Sequence, residues 1–303
     1  MSRPNADAHY AAGMKARAEN DMEKARVEFA IACSIEPLDD ACSYQLGACY
    51  ADMGRPEEGL YYLNHAFHLN PRNHHAGTVL GAVLSVLGRT QQSKDVLDRV
   101  ITMAPHMPSA HWNRAGVNLA LGNFTQGWSD YEYGFCNGKR TSRFPAQKWD
   151  GKAKGRVLFT AEQGIGDAIQ FARFVKEAGA EYSILEVRPE LYKLMHLSAV
   201  ADRVSINHGD GATSEEFDYY YPIMSLPHLL GIEYSDVKGA PYLRNPLGKT
   251  YVLEGQKKIG YVYKGNPQFG NDRNRSIHNP AYLEPLLSAD VSLYNMQKSQ
   301  TTN

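Results

Sequence analysis

The chain has 303 residues, 43% of them hydrophobic and 21% charged, with a formal net charge of −1. That length allows two ordinary domains with buried cores, and the near-neutral balance gives no bulk attraction to nucleic acid or to an anionic membrane surface. No apolar run approaches the roughly 18 residues that a membrane span needs, and MSRPNADAHY lacks the regions of a signal peptide, so the chain is expected in the cytoplasm.

The first part repeats with a step of 34 residues. Gly13, Gly47 and Gly81 form one ladder, which Ala115 continues; Pro37, Pro71 and Pro105 form a second, and Gly54, Gly88 and Gly122 a third. Phe29, Leu63, Leu97 and Tyr131 keep the same step, as do the small residues Ala25, Gly59, Ser93 and Gly127. The pattern predicts pairs of antiparallel helices over residues 6–136. The two small series let paired helices approach, the third ladder supplies left-handed helix ends, and the prolines stop each second helix. The period and residue types resemble the tetratricopeptide repeat, with units starting near Ala6, Asp40, His74 and Pro108 and a degenerate, terminal fourth unit. The resemblance implies an all-α solenoid with a groove for a peptide or protein. Tyr44, Tyr50, Asn113 and Asn118 on the first helices are candidate groove residues; the alternative is that the repeats only support the second half. His65, His68, His74 and His75 straddle the helix-ending Pro71 and read as solvated surface, with no metal site expected. Cys33, Cys42, Cys49 and Cys136 include no CxxC pair, and the three within helical segments read as small hydrophobes.

Residues 137–154 lose the helical period and read as a basic linker, in which Trp149 is expected to dock on a neighbouring surface. Strand-like and helix-like runs then alternate: RVLFTA, a glycine-containing loop, a helix to about Ala178, YSILEV and PELYKLMHLSA. Short strands near Arg203–Ile206 and Asp218–Tyr221 extend this βαβ rhythm, which predicts a parallel sheet with covering helices over 155–250. Tyr219, Tyr220 and Tyr221 either pack at the sheet edge or form a sugar-stacking platform. After GAPYLRNPLG, KKIGYVY begins a second α/β segment over 257–303, with the turn NDRNRSI, a helix over 281–287 and the strand VSLYNM.

The first α/β loop, AEQGIGDAIQFARF, has Gly164 and Gly166 but Ile169 where a dinucleotide fingerprint needs its third glycine. Asp167 puts a carboxylate where the helix begins, so a pyrophosphate there would meet a like charge and a nucleotide cradle is excluded. Two roles for Asp167 stand side by side. It caps the helix, a contribution of about 1 kcal/mol, or it is a general base at the carboxyl edge of a parallel sheet.

The runs GNFTQGWSDYEYGF and WDGKAKGRVLFTAEQGIGDAIQFARF, continued by LEVRPELYKLM, IMSLPHLLG and YVYKGNPQFGNDRNRSI, resemble bacterial tetratricopeptide-repeat glycosyltransferases whose catalytic part is related to the heptosyltransferases. The resemblance implies a GT-B architecture of two Rossmann-like lobes, the acceptor lobe first. It makes Asp167 the base and Glu162, Gln163, Gly164 and Gly166 the acceptor loop. On the donor side Lys264, Asn266, Arg273, Arg275 and Ser276 would meet the diphosphate of a nucleotide-sugar co-substrate, with no metal or other cofactor implied; the alternative is a solvated polar turn. Phe269 departs from the family, which tends to carry His there. The 47 residues from Lys257 onward fall short of the roughly 150 of an ordinary domain, so the second lobe reads as incomplete. Two functions follow: a glycosyltransferase-like protein acting on an acceptor recruited by the repeats, or a non-catalytic interaction scaffold with a degenerate lobe.

Overall fold

A computed structural model describes residues 5–141, 144, 147–209, 213–237, 239–245, 252, 254–255, 257–265, 276–287 and 290–296, and the chain divides into two compact units, Met1–Pro246 and Leu247–Asn303. The first unit opens with four helix pairs: α1 (Ala6–Ala18) with α2 (Met22–Ile35), α3 (Asp40–Asp52) with α4 (Pro56–Leu69), α5 (His74–Val86) with α6 (Thr90–Met103), and α7 (Pro108–Ala120) with α8 (Phe124–Tyr131). Their starts are set locally. Asn5, Asp21, Asp39 and Asn73 accept backbone N–H groups from the first turns of α1, α2, α3 and α5, while Pro56 and Pro108 occupy first-turn positions of α4 and α7.

The ladders have a packing explanation. A Cβ on Gly13 would lie 2.7 Å from the Phe29 ring, one on Gly47 2.7 Å from Leu63 Cγ, and one on Gly81 2.5 Å from Leu97 Cγ. Each large residue of the repeat therefore sits on the glycine of the facing helix, and Phe29, Leu63 and Leu97 are fully buried. Ser93, from the second small series, donates its hydroxyl to the Gly81 carbonyl at 2.6 Å. The turns inside the pairs are left-handed at Gly54, Gly88 and Gly122 (φ 73°, 71° and 80°), and Asn20 holds the corresponding place in the first pair at φ 62°. Asparagine is the residue after glycine that tolerates this conformation.

The same unit continues into an α/β lobe. Strands β1 (Arg156–Thr160), β2 (Tyr182–Val187), β3 (Arg203–Ile206) and β4 (Tyr219–Pro222) form a parallel sheet in the order β3-β2-β1-β4. Helices α9 (Ile165–Phe171) and α10 (Phe174–Glu177) follow β1 in place of the single expected helix; α11 (Pro189–Ser198) follows β2 and α12 (Leu226–Leu230) follows β4. Gln147 and Trp149, between the solenoid and β1, are built into this lobe. Gln147 O accepts the Tyr220 N–H, the Trp149 N–H reaches Tyr220 O at 3.0 Å, and the Trp149 ring is buried edge-on to Phe159 and Tyr221. Trp128 of α8 belongs to the lobe's own hydrophobic core and meets Phe171 edge-on at 5.4 Å, so solenoid and lobe share buried surface.

In the second unit β5 (Lys258–Tyr261) pairs in parallel with β6 (Ser292–Asn295). The helix expected over 281–287 is a 3₁₀ turn at Pro280–Leu283 followed by α13 (Glu284–Leu287). Among the described residues this unit's sheet has two strands, and no helix of the chain is long and apolar enough to cross a membrane.

The two kinds of helical glycine should respond in opposite ways to one methyl group. Gly81→Ala forces the Leu97 side chain away and is expected to destabilise by about 1–3 kcal/mol. Gly116 in α7 has open space around its Cβ position, and Gly116→Ala is expected to stabilise by about 0.5–1 kcal/mol. Urea unfolding midpoints of the two variants against the wild type check both signs.

Candidate functional site

Two surfaces of the first unit carry chemistry-bearing side chains. One runs along the first helices of the pairs, where successive helices touch through polar groups. Arg17 of α1 donates to Gln45 at 2.5 Å and to Asp52 at 2.8 Å, both on α3. Tyr44 of α3 lies 6.5 Å from the ring of His75 on α5, and Asn113 of α7 donates to the Thr78 carbonyl at 3.3 Å. Two of the four candidate groove residues, Tyr44 and Asn113, are therefore part of this strip. The other two are packing residues. Tyr50 is buried with the Arg55 guanidinium 4.8 Å above its ring, and Asn118 is buried against Asp130. Asp130 gathers His111, Arg114, Asn118 and Gln126 in a buried polar cluster, and its contact with His111 repeats the His9–Glu28 contact of the first pair three repeats on. The histidine group is less uniformly solvated than its sequence suggests: His65 is half-buried on Ser43 and stacked on Tyr61, and His75 faces Tyr44.

The second surface lies over the carboxyl ends of β1 and β4, where the strand order reverses. Open parallel sheets bind ligands at such a reversal. Here the connector's Arg140 reaches in, its side chain fully buried. It donates to Glu132 at 2.8 Å, to both oxygens of Glu162 in the loop after β1, and to Ser225 Oγ at 2.8 Å in the turn after β4. Ser225 in turn donates to Glu132 at 2.6 Å, and Lys148 donates to the other Glu132 oxygen at 2.9 Å. The guanidinium also lies over Phe135 at 4.1 Å and Tyr131 at 4.6 Å. Burial raises the Glu132 carboxyl, but Ser225, Arg140 and Lys148 outweigh it and hold the group below the usual carboxylate range. Burial pushes the Tyr131 phenol up to about 12, so it stays protonated at neutral pH.

Of the residues expected to form an acceptor loop, Glu162 and Gln163 touch this cluster. Glu162 is the carboxylate on Arg140. Gln163 has a left-handed backbone (φ 63°), donates its side-chain amide to the Tyr131 hydroxyl, and accepts from Arg188 through its carbonyl. Gly164 is the N-cap of α9, and Gly166 lies exposed in the first turn with open space around it. Asp167 is the third residue of α9 rather than its N-cap, and its carboxylate accepts the Gly164 N–H at 2.9 Å, closing the first turn from within. In the second unit the Lys264 ammonium lies 5.6 Å from the Tyr263 ring centre, and Ser276 Oγ accepts the Gly265 N–H at 2.8 Å. Asn266, Phe269, Arg273 and Arg275 lie outside the described residues. Sequence reasoning passed over Arg140, Glu132, Lys148 and Ser225; the available signal was the basic charge of the connector facing two acidic positions on either side.

No family model matches the chain. Protein FlbA of Caulobacter vibrioides is similar at 25% identity, with 46% of this chain and 31% of that protein covered, so the chain spans about a third of this curated relative's length. Similar solved structures include MamA protein (TM-score 0.41, 20% identity, covering 44% of this chain and 73% of that one). YrrB, titled a TPR protein with an unusual peptide-binding site, gives a TM-score of 0.40 at 21% identity over 43% of this chain and 68% of its own. Pseudomonas aeruginosa PilF gives a TM-score of 0.40 at 18% identity, over 45% and 62%.

Removing the cation from the buried cluster strands two carboxylates, so Arg140→Met is expected to destabilise by about 3–5 kcal/mol in thermal or urea unfolding. The Glu132 carboxyl gives an acid dependence of known sign. Its folded pKa lies below its unfolded value, so its contribution is complete above the unfolded value and is lost as pH falls through the folded one. Unfolding free energies measured from pH 6 to pH 3 should therefore fall less steeply for Glu132→Gln than for the wild type.

Proposed function

We propose that this chain is an interaction scaffold, in which the tetratricopeptide-type solenoid holds a peptide segment of a partner protein along its first helices and the α/β lobe closes the solenoid's last pair. The observation that carries the proposal is the polar strip through Arg17, Gln45, Tyr44, His75 and Asn113, which crosses all four first helices. Side-chain amides, a phenol and a guanidinium spaced along a rigid stack suit an extended peptide, whose backbone groups need partners at regular intervals.

The test is a selection of displayed peptides on the purified chain, followed by anisotropy titration of the enriched sequences. Tyr44→Ala and Asn113→Ala are expected to weaken binding about tenfold each, in the range of a contact residue at such an interface. Their unfolding midpoints should stay near that of the wild type. Failure to enrich any peptide, or binding indifferent to both substitutions, would refute the groove.

One observation favours the second reading, sugar transfer from a nucleotide-sugar. The strand order β3-β2-β1-β4 puts the loop of Asp167 beside the reversal where α/β folds bind ligands. In that reading Asp167 deprotonates the acceptor hydroxyl, Glu162, Gln163, Gly164 and Gly166 shape its seat, and Lys264, Asn266, Arg273, Arg275 and Ser276 receive the diphosphate. Release of nucleoside diphosphate from a panel of nucleotide-sugars, abolished in Asp167→Asn, is the result it requires; no release with any donor ends it for this chain.

A further inference from the structure

We infer that the Arg140 cluster is a latent anion site, closed in this conformation by Glu162 acting as an internal stand-in for the ligand. The chemical class is a small multivalent oxyanion group, phosphoryl or dicarboxylate, and the group that receives it is the Arg140 guanidinium, held in place by Ser225 and Glu132.

The guanidinium presents its fork, Nε and Nη2, to the two oxygens of one carboxylate, which is the geometry with which arginine grips carboxylate and phosphate ligands. Its ring contacts with Phe135 and Tyr131 fix its plane, and Ser225 Oγ lies beside it, so the receptor side is preorganised. Position gives the second argument. Glu162 and Ser225 stand in the turns after β1 and β4, the two adjacent strands at the reversal of the sheet order. Charge gives the third. Arg140 and Lys148 face Glu132 and Glu162 among the described residues, and withdrawal of Glu162 leaves the buried Arg140 sharing the single carboxylate of Glu132 with Lys148.

The two carboxylates differ in how they are held. Glu132 lies in the 3₁₀ turn that continues α8, and it is tied to Arg140, Ser225 and Lys148 at once. Glu162 lies in a loop, next to Gln163, whose left-handed backbone is unfavourable for a residue with a side chain, and two positions before Gly164. The strained residue separates the latch on Arg140 from the Asp167 cap of α9. An incoming oxyanion therefore displaces Glu162, and the chain segment that moves is the loop 162–164.

Calorimetric titration of the full chain with inorganic pyrophosphate, and separately with malonate, at matched ionic strength tests the inference. Glu162→Gln is expected to bind one of the two about tenfold more tightly than the wild type, within the ordinary range of a coupled site. Adding Arg140→Met to that variant should remove the gain. A preference for pyrophosphate identifies a phosphoryl ligand, and one for malonate a dicarboxylate. Equal affinities in the wild type and a folded Glu162→Gln, or a gain that survives Arg140→Met, would overturn the inference. Hydrogen exchange of the wild type needs no variant: saturating anion should speed exchange at the Gly164 amide, which Asp167 holds, and unchanged exchange there overturns the latch.

Discussion

A guanidinium buried away from the surface fixes the layout of the first unit. Arg140 itself lies outside any helix or strand, yet its side chain is fully buried, and a charge in that position demands compensation from whatever lies around it. The compensation comes from three separate places: Glu132 at the end of the solenoid, Glu162 after β1 and Ser225 after β4. Meeting that demand orients the last helix pair, the connector and the sheet relative to one another. Apolar contacts reinforce the arrangement, because Trp128 of α8 belongs to the lobe's hydrophobic core and meets Phe171 edge-on. They are non-directional, however, and the hydrogen-bonded cation supplies the register.

The arrangement also answers a general problem of solenoids. A terminal repeat has one face with no neighbour, and an uncovered face of Trp and Tyr side chains invites association. Here the fourth pair departs from the repeat pattern on that side. Its core positions carry the His111–Asp130–Arg114 cluster inward, while Trp128 and Tyr131 turn toward the α/β lobe. The degenerate fourth unit is thus adapted to the lobe, and the lobe does for the solenoid what a capping helix does elsewhere.

The sequence made the solenoid legible for a physical reason. A repeat places the same residue in the same surroundings every turn, so a steric requirement met by Gly47 against Leu63 appears again at Gly81 against Leu97 and can be read as a ladder. Asn20 escaped because the ladder was defined by glycine rather than by the left-handed conformation that both residues satisfy. Strands β1 to β4 were legible from apolar runs bounded by turns. The Arg140 cluster was not, because it joins positions 132, 140, 148, 162 and 225, and no local period links residues so far apart in sequence. Basic composition and the loss of helical pattern made residues 137–154 read as a linker, although polarity alone does not separate a solvated charge from one buried with its partners. Two of the four groove candidates lie off the strip for a related reason: membership of a first helix says nothing about which face a side chain takes, and Tyr50 and Asn118 take the inner one.

The same geometry bears on what the loop after β1 can do. Its acidic residues have different roles: Glu162 neutralises a buried cation, while Asp167 closes the first turn of α9 through the Gly164 N–H. One oxygen of the Asp167 carboxylate is thus already engaged in closing the turn. The glycines at 164 and 166 belong to the turn itself, since Gly164 caps the helix and Gly166 leaves open space beside its first turn. For chemistry to occur at this edge, a substrate hydroxyl would have to reach Asp167 beside a loop already tied to the solenoid through Glu162 and Gln163. Any ligand that enters here must work against those ties, and so what binds at the sheet edge is coupled to how firmly the solenoid is held.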